Sequence, residues 1–395
     1  MIKPIYLDHN ATTPLLREVQ EALIDLLGKD NWWGNPSSIH WAGRRPKELM
    51  RLARQQVAQV LKCSPLDVVF TSGATESNNT VIRAVVEGAK QCAPDGKGRY
   101  RIISSAVEHP SVLQALQYFS DQKLIEWISI PLTPCGEWDW EKFEKALNEE
   151  TLLVSVMAAN NETGVILPVE EIARRAKQRG ALFHSDVTQA FLKVPLDFGL
   201  FDYASLSGHK VYALKGVGVL FVNKQAPFRN LLWGGSQERS RRAGTENVLA
   251  IASLGFAIQA LGQNYQGWEN RLQDLRDYFE EQILSNIGRV TITHRERPRL
   301  PNTSHIRIEG IESETLLMKL DLEGFAVSAG SACSSGRSAP SATLLAMGLS
   351  SQEAQSSLRV SLGIGNTKEQ IDSFVSALVR SVEFLRKRSP MEVRP

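Results

Sequence analysis

Ala204-Ser205-Leu206-Ser207-Gly208-His209-Lys210 sets a lysine directly behind a turn of small polar residues. An amine held there suits Schiff-base formation with an aldehyde, and Ser207 and His209 suit donation to a phosphate. A solvated surface lysine is the ordinary reading of any Lys, so the flanking chain has to decide. Lys210 follows Asp186 by 24 residues, and Leu182-Phe183-His184-Ser185-Asp186 reads as an apolar strand ending in a carboxylate, with Val187-Thr188-Gln189 behind it. Farther upstream, Thr71-Ser72-Gly73-Ala74-Thr75 joins the buried strand Val68-Val69-Phe70-Thr71 to a helix. Free N–H groups at a helix start seat a phosphate. Taken singly, the first motif is also a tight turn and Asp186 also a helix cap. Taken together they place a phosphate seat, a carboxylate and a reactive lysine in one order along the chain. That order suits pyridoxal phosphate, whose ring nitrogen a carboxylate keeps protonated.

The chain around these motifs alternates short apolar runs with amphipathic helical stretches, the pattern of βαβ units on a largely parallel sheet. Residues 44–62, 76–90 and 169–179 read as helices; residues 101–106, 152–157, 182–184 and 217–222 read as strands. After about residue 260 the pattern changes to a long charged helix (264–286), strands at 289–293 and 303–309, and a helix at 368–386. The expected fold is α/β, with residues 16–260 as a large cofactor-binding domain. Residues 1–15 and 261–395 are expected to form a smaller α+β domain carrying a cysteine loop at about 328–340.

Hydrophobic residues make up 43% of the 395, charged residues 22%, and the net charge is +2. That mix fits a globular protein and gives no footprint for nucleic acid or an anionic membrane. The one short basic run is Arg239-Ser240-Arg241-Arg242. No stretch of about eighteen apolar residues is present, and Met1-Ile2-Lys3-Pro4-Ile5-Tyr6 lacks a signal-like apolar region. A cytoplasmic location is expected. The four cysteines, Cys63, Cys92, Cys135 and Cys333, lie far apart with no C-x-x-C pair. That spacing argues against a zinc ribbon or a disulfide framework, and no metal ligands are expected.

From Tyr6-Leu7-Asp8-His9-Asn10-Ala11-Thr12-Thr13-Pro14 to Ser357-Leu358-Arg359-Val360-Ser361-Leu362-Gly363 the chain resembles fold-type I pyridoxal-phosphate enzymes of the class V aminotransferase family, and within them the NifS/IscS-type cysteine desulfurases. The resemblance implies a mostly parallel seven-stranded sheet flanked by helices. It implies Lys210 as the Schiff-base lysine, Asp186 at the ring nitrogen and Gln189 at the phenolic oxygen. Gly73, Ala74, Thr75, Ser207 and His209 would hold the phosphate, and His109 would stack on the ring and help move protons. Asn160 and Asn35 would line the substrate side, and Arg359 would clamp the substrate carboxylate with two prongs. Arg242-Ala243-Gly244-Thr245-Glu246-Asn247 resembles the segment that reaches the neighbouring subunit's phosphate through Thr245, which implies a homodimer. The chain departs from the family at Ala213-Leu214, where Gly-Pro is usual, and at Ala158, where a histidine is common.

The cofactor supports several reactions, and Ser328-Ala329-Gly330-Ser331-Ala332-Cys333-Ser334-Ser335-Gly336-Arg337-Ser338 is what points to sulfur. A cysteine in a stretch of small residues is accessible, and an accessible thiolate is nucleophilic. The resemblance implies that Lys210 removes the α-proton of L-cysteine and that Cys333 takes the sulfur as a persulfide, leaving alanine. A sulfur-acceptor protein, such as an iron–sulfur scaffold, would then receive it. The alternative is a selenocysteine lyase or C–S lyase of the same fold, working without an active cysteine.

Overall fold

The computed structural model describes residues 4–29, 31–92, 100–262, 265–329 and 340–388. Its strands, in chain order, are β1 (Ile5–Tyr6), β2 (Val68–Thr71), β3 (Arg101–Ser105), β4 (Glu126–Ile130), β5 (Thr151–Ser155) and β6 (Leu182–Asp186). They continue with β7 (Tyr203–Ser207), β8 (Gly218–Val222), β9 (Val290–Ile292), β10 (Thr303–Ile308), β11 (Phe325–Ala326) and β12 (Ser357–Ser361).

Seven of them form one sheet in the order β2-β8-β7-β6-β5-β3-β4. Only β8 runs against its neighbours, pairing antiparallel with both β2 and β7. The apolar runs are continuous because helices cover both faces, and the strand period of two divides them between two cores. Val69, Ile102, Leu153, Tyr203 and Leu220 face the helices Ala74–Cys92 and Pro110–Asp121. Their chain neighbours Phe70, Ile103, Val154, Ala204 and Val219 face Trp41–Leu61, Val169–Gln178 and Val248–Gly262. Because β2, β3, β5, β6 and β7 share a direction, Thr71, Ser105, Ser155, Asp186 and Ser207 all end at one edge. Ligands in open α/β sheets sit at that edge.

A third core joins the two ends of the chain. Ile5 and Leu7 pack with Phe279, Ile306, Ile308, Phe374 and Leu378. β10 lies between β9 and β12, antiparallel to each, and β1 pairs with β11. Ile5 and Leu7 thus share a core with residues 272–382.

The basic run is spent on its own chain. Glu238, Arg239 and Ser240 all have positive φ (47°, 59° and 61°), a left-handed stretch that costs energy in non-glycine residues. It is held by Glu238, which accepts from Arg54 at 2.5 and 2.9 Å and from Phe70 N at 2.9 Å. Arg239 and Arg241 donate to the carbonyls of Leu66 and Val68. Glu238→Ala would leave Arg54 buried without its partner, and a loss of about 3 kcal/mol is expected. A lower urea midpoint than wild type checks it.

Candidate active site

Each sheet-edge residue reaches the site because its strand stops there. At the end of β2, Gly73 and Ala74 turn into the helix Ala74–Cys92, and Ala74 N donates to Ser207 Oγ at 2.8 Å, tying the β2 and β7 turns together. A Cβ on Gly218 would lie 2.5 Å from Gly73 Cα, so only glycine lets β8 pass this close. A Cβ on Gly73, by contrast, would meet only Ser207 Oγ, at 3.4 Å. The turn thus has room on the Gly73 side, at the start of a helix, where a phosphate can be seated. Thr75 lies exposed in the first helical turn.

Asp186 ends β6 with 6% exposure, and both its oxygens accept hydrogen bonds, Oδ1 from Thr188 N (3.0 Å) and Oδ2 from Asn78 Nδ2 (2.8 Å). Asn78 Nδ2 also lies 2.9 Å from Ser111 Oγ, which contacts His109 Nδ1 at 2.8 Å. Ser111 N donates to that same Nδ1, so the ring proton sits on Nε2. Burial and the Lys210 charge pull His109 below the usual imidazole range, against the pull of Asp186. The imidazole is therefore neutral at physiological pH, as a group that passes protons requires.

Lys210 closes the one-turn segment Gly208–Lys210. Its Nζ donates to Asn10 O at 2.5 Å and Ala11 O at 2.6 Å. His209 Nδ1 meets Thr12 Oγ1 at 3.1 Å, and burial with Lys210 nearby lowers that imidazole to about 4. Gln189 Nε2 donates to Asn10 O at 3.0 Å, and Lys193 Nζ lies 3.5 Å from Gln189 Oε1. Behind Lys210, Tyr212 takes φ 64°. Leu214 N donates to Ser253 Oγ at 3.0 Å, a bond that a proline there could not make.

Arg359, on β12, is 2% exposed. Its guanidinium donates to Asp8 Oδ1 (2.7 Å) and to Asn161 O (3.0 Å), while its Nε has no partner among the described residues. Asn160 spends its amide on the chain itself. Its Oδ1 accepts from Glu162 N, Thr163 N and Thr163 Oγ1, and Nδ2 donates to Val107 O. Asn35 and Thr245 are exposed, and neither joins this network among the described residues. The segment around Thr245 is tied to its own chain, where Arg242 pairs with Glu76 at 2.9 Å in the phosphate-turn helix. Cys333 lies outside the described residues. Its flanks do not: Ser328 and Arg359 exchange backbone hydrogen bonds, and Ser341 Oγ donates to Glu162 Oε2 at 2.7 Å.

Asn78, Ser111, Asn10, Asp8, Lys193 and Glu108 belong to the network, and the sequence motifs assign none of them a role. Asn78 left a signal, being a polar residue one turn beyond Ala74 and fully buried. Glu108 is 1% exposed; Ser105 Oγ and Met157 N both donate to its Oε1, while Oε2 has no partner. Burial pushes its carboxyl up to about 8 against those two hydrogen bonds, with the Asp186 charge adding to the rise. A folded pKa above the unfolded 4.5 means stability fully present below pH 4.5 and lost as pH rises through about 8. Glu108→Gln, which keeps an acceptor and a neutral group, is expected to flatten that decline. Urea unfolding at pH 6 and pH 8.5 checks it.

The donor set fits pyridoxal phosphate: a helix start with room for a phosphate at one end, a carboxylate, a neutral imidazole and an amine converging at the sheet edge. The class-V aminotransferase family matches residues 5–374. The chain belongs to the class-V aminotransferase family. It is 40% identical to a cysteine desulfurase of Trichormus azollae over 391 residues, 98% of this chain and 95% of that protein. It is 39% identical to the cysteine desulfurase IscS of Dictyoglomus turgidum over 393 residues, 99% of this chain and 97% of that one. Among solved structures, a NifS-like protein superimposes with TM-score 0.86 at 34% identity, covering 96% of this chain and 100% of the other. The enzyme is pyridoxal-phosphate dependent, as its family is.

Proposed function

We propose that this enzyme is a cysteine desulfurase in which Lys210 moves the α-proton of L-cysteine and Cys333 takes the sulfur. The observation that carries it is a convergence: Lys210, Asp186 and His109 meet at the sheet edge, and Arg359 lies beside Asn10, with Asn161 O contacting both. The chain on either side of residues 330–339 is fastened to Arg359 and to Glu162.

When bound, pyridoxal phosphate supplies the electron sink that stabilises negative charge at the substrate Cα. Asp186, oriented by Asn78 and Thr188, would pair with the ring nitrogen and Gln189 with the phenolic oxygen. The turn at Gly73–Thr75 with Ser207 and His209 would hold the phosphate. Arg359 offers its Nε to the substrate carboxylate, held in place by Asp8 and Asn161 O. Lys210 takes the proton from Cα, and His109 relays protons at Nε2. The Cys333 thiolate attacks the substrate sulfur, the C–S bond breaks, and its electron pair returns toward the substrate carbon. A persulfide remains on Cys333, and protonation of the carbon fragment gives alanine. Cys63 cannot substitute, because burial pushes its thiol up to about 12.

Residues 16–260 are proposed as the large domain, and residues 1–15 with 261–395 as the small one, a division supported by the separate core that the two chain ends share. A homodimer is proposed, with Thr245 reaching the neighbouring phosphate; the exposed Trp33, Ile39, Trp41 and Trp233 are surfaces of the kind that association covers. No helix among the described residues is long and apolar enough to cross a membrane. A cytoplasmic enzyme handing sulfur to an acceptor protein, an iron–sulfur scaffold among the candidates, completes the reading.

The test is protein mass after incubation with L-cysteine without reductant. One extra sulfur atom on the peptide containing Cys333, with alanine formed in equal amount, is the expected result. Alanine formed with no sulfur on that peptide would replace this reading with a lyase.

A further inference from the structure

Lys193 is 5% exposed, and among the described residues it makes no ion pair. Its amine lies 3.5 Å from Gln189 Oε1, and the nearby titratable groups that feel its charge are Lys210 and His9. Burying an amine without a carboxylate is costly, so a side chain kept there needs a use.

We infer that Lys193 is a positioning residue that fixes the amide of Gln189, turning its NH2 toward Asn10 and the cofactor ring. Burial and the Lys210 charge lower the Lys193 amine to about 7; in its protonated form it has donors only, and the amide end that faces it is then the carbonyl oxygen. A backbone carbonyl has acceptors only, so the end facing Asn10 O, 3.0 Å away, must be the NH2. Neighbours of opposite polarity at the two ends of one amide leave a single orientation. Its second N–H is then directed to the site, where a flipped amide would offer an acceptor to an anionic oxygen. The same Asn10 carbonyl accepts from Lys210 at 2.5 Å, so one backbone oxygen links the oriented amide to the reactive lysine. The inference rests on the reading of Gln189 as the residue at the phenolic oxygen of the cofactor.

The experiment is a double-mutant cycle of Lys193→Met and Gln189→Leu, read by pyridoxal-phosphate affinity of the apoenzyme and by the position of the visible band of the holoenzyme. Lys193→Met is expected to weaken affinity about tenfold, equivalent to one hydrogen bond, and to move the band. In the Gln189→Leu background it is expected to change neither. Met has a similar volume and removes a buried amine, so thermal unfolding of the apoenzyme should fall no lower than wild type. Lys193→Gln, which keeps an N–H donor, serves if Met does not fold and should lie closer to wild type in both readouts. An equal effect of Lys193→Met in both backgrounds, or none in wild type, overturns the inference. A Gln189→Leu variant with unaltered affinity and band overturns the reading of Gln189 and the inference with it.

Discussion

Lys210→Ala is expected to lower alanine release from L-cysteine by about 10³-fold or more, the scale of losing a positioned acid–base group, and to remove the yellow colour at about 390–430 nm. The amine sits in the last turn after β7, held by the carbonyls of Asn10 and Ala11. Those carbonyls accept its hydrogens while leaving nitrogen chemistry possible, as no carboxylate partner would. Lysine carries both functions at once: it condenses with the aldehyde and it carries the α-proton. Alanine removes both, whereas Lys210→Arg keeps a cation that can do neither and should be equally inactive. A variant retaining colour and turnover would sink the assignment. Absorbance and alanine assays on one preparation decide it.

Cys333→Ala is expected to stop alanine and sulfide formation together, by about 10²-fold or more, yet to leave exchange of the substrate α-hydrogen with deuterated solvent near wild type. The separation follows from the division of labour. On the proposed reading, proton movement belongs to Lys210 at the sheet edge and sulfur capture to the Cys333 thiol, between Ser328, bonded to Arg359, and Ser341, bonded to Glu162. Cys63 does not replace it, being half-buried with its thiol pushed up to about 12. Continued alanine release from the variant would show a lyase that needs no cysteine. Loss of exchange along with sulfide would show that the substitution had damaged the whole site.

The sheet could be read from sequence where its buried strands centre on apolar runs, as in β2, β5 and β8, and β6 from the pair Leu182-Phe183 at its start. β7 read as a turn instead, since Ala204, Ser205 and Ser207 are small or polar, and its burial comes from neighbours on both sides. The half-exposed edge strand β4 carried too little apolar signal. The helix Val248–Gly262 is apolar on nearly every side and shows no amphipathic stripe. At the site, motif residues at strand ends were legible because the strand dictates where they point. Their supports were not. Asn78 reaches Asp186 across 108 residues and Asp8 reaches Arg359 across 351, separations that no local pattern records.

The pairing of chain ends also orders the enzyme's making. Asn10 and Ala11, which hold the reactive lysine, belong to a segment whose neighbours are β11 and Ser361, where His9 N donates to Ser361 O at 3.1 Å. A ribosome delivers the segment of Asn10 long before it delivers β11 and Ser361. The sheet around β2, β6 and β7 has all its strands once residue 222 has emerged. β12, which fastens this segment through Ser361, follows about 140 residues after β8, so that fastening comes after the sheet has all its strands.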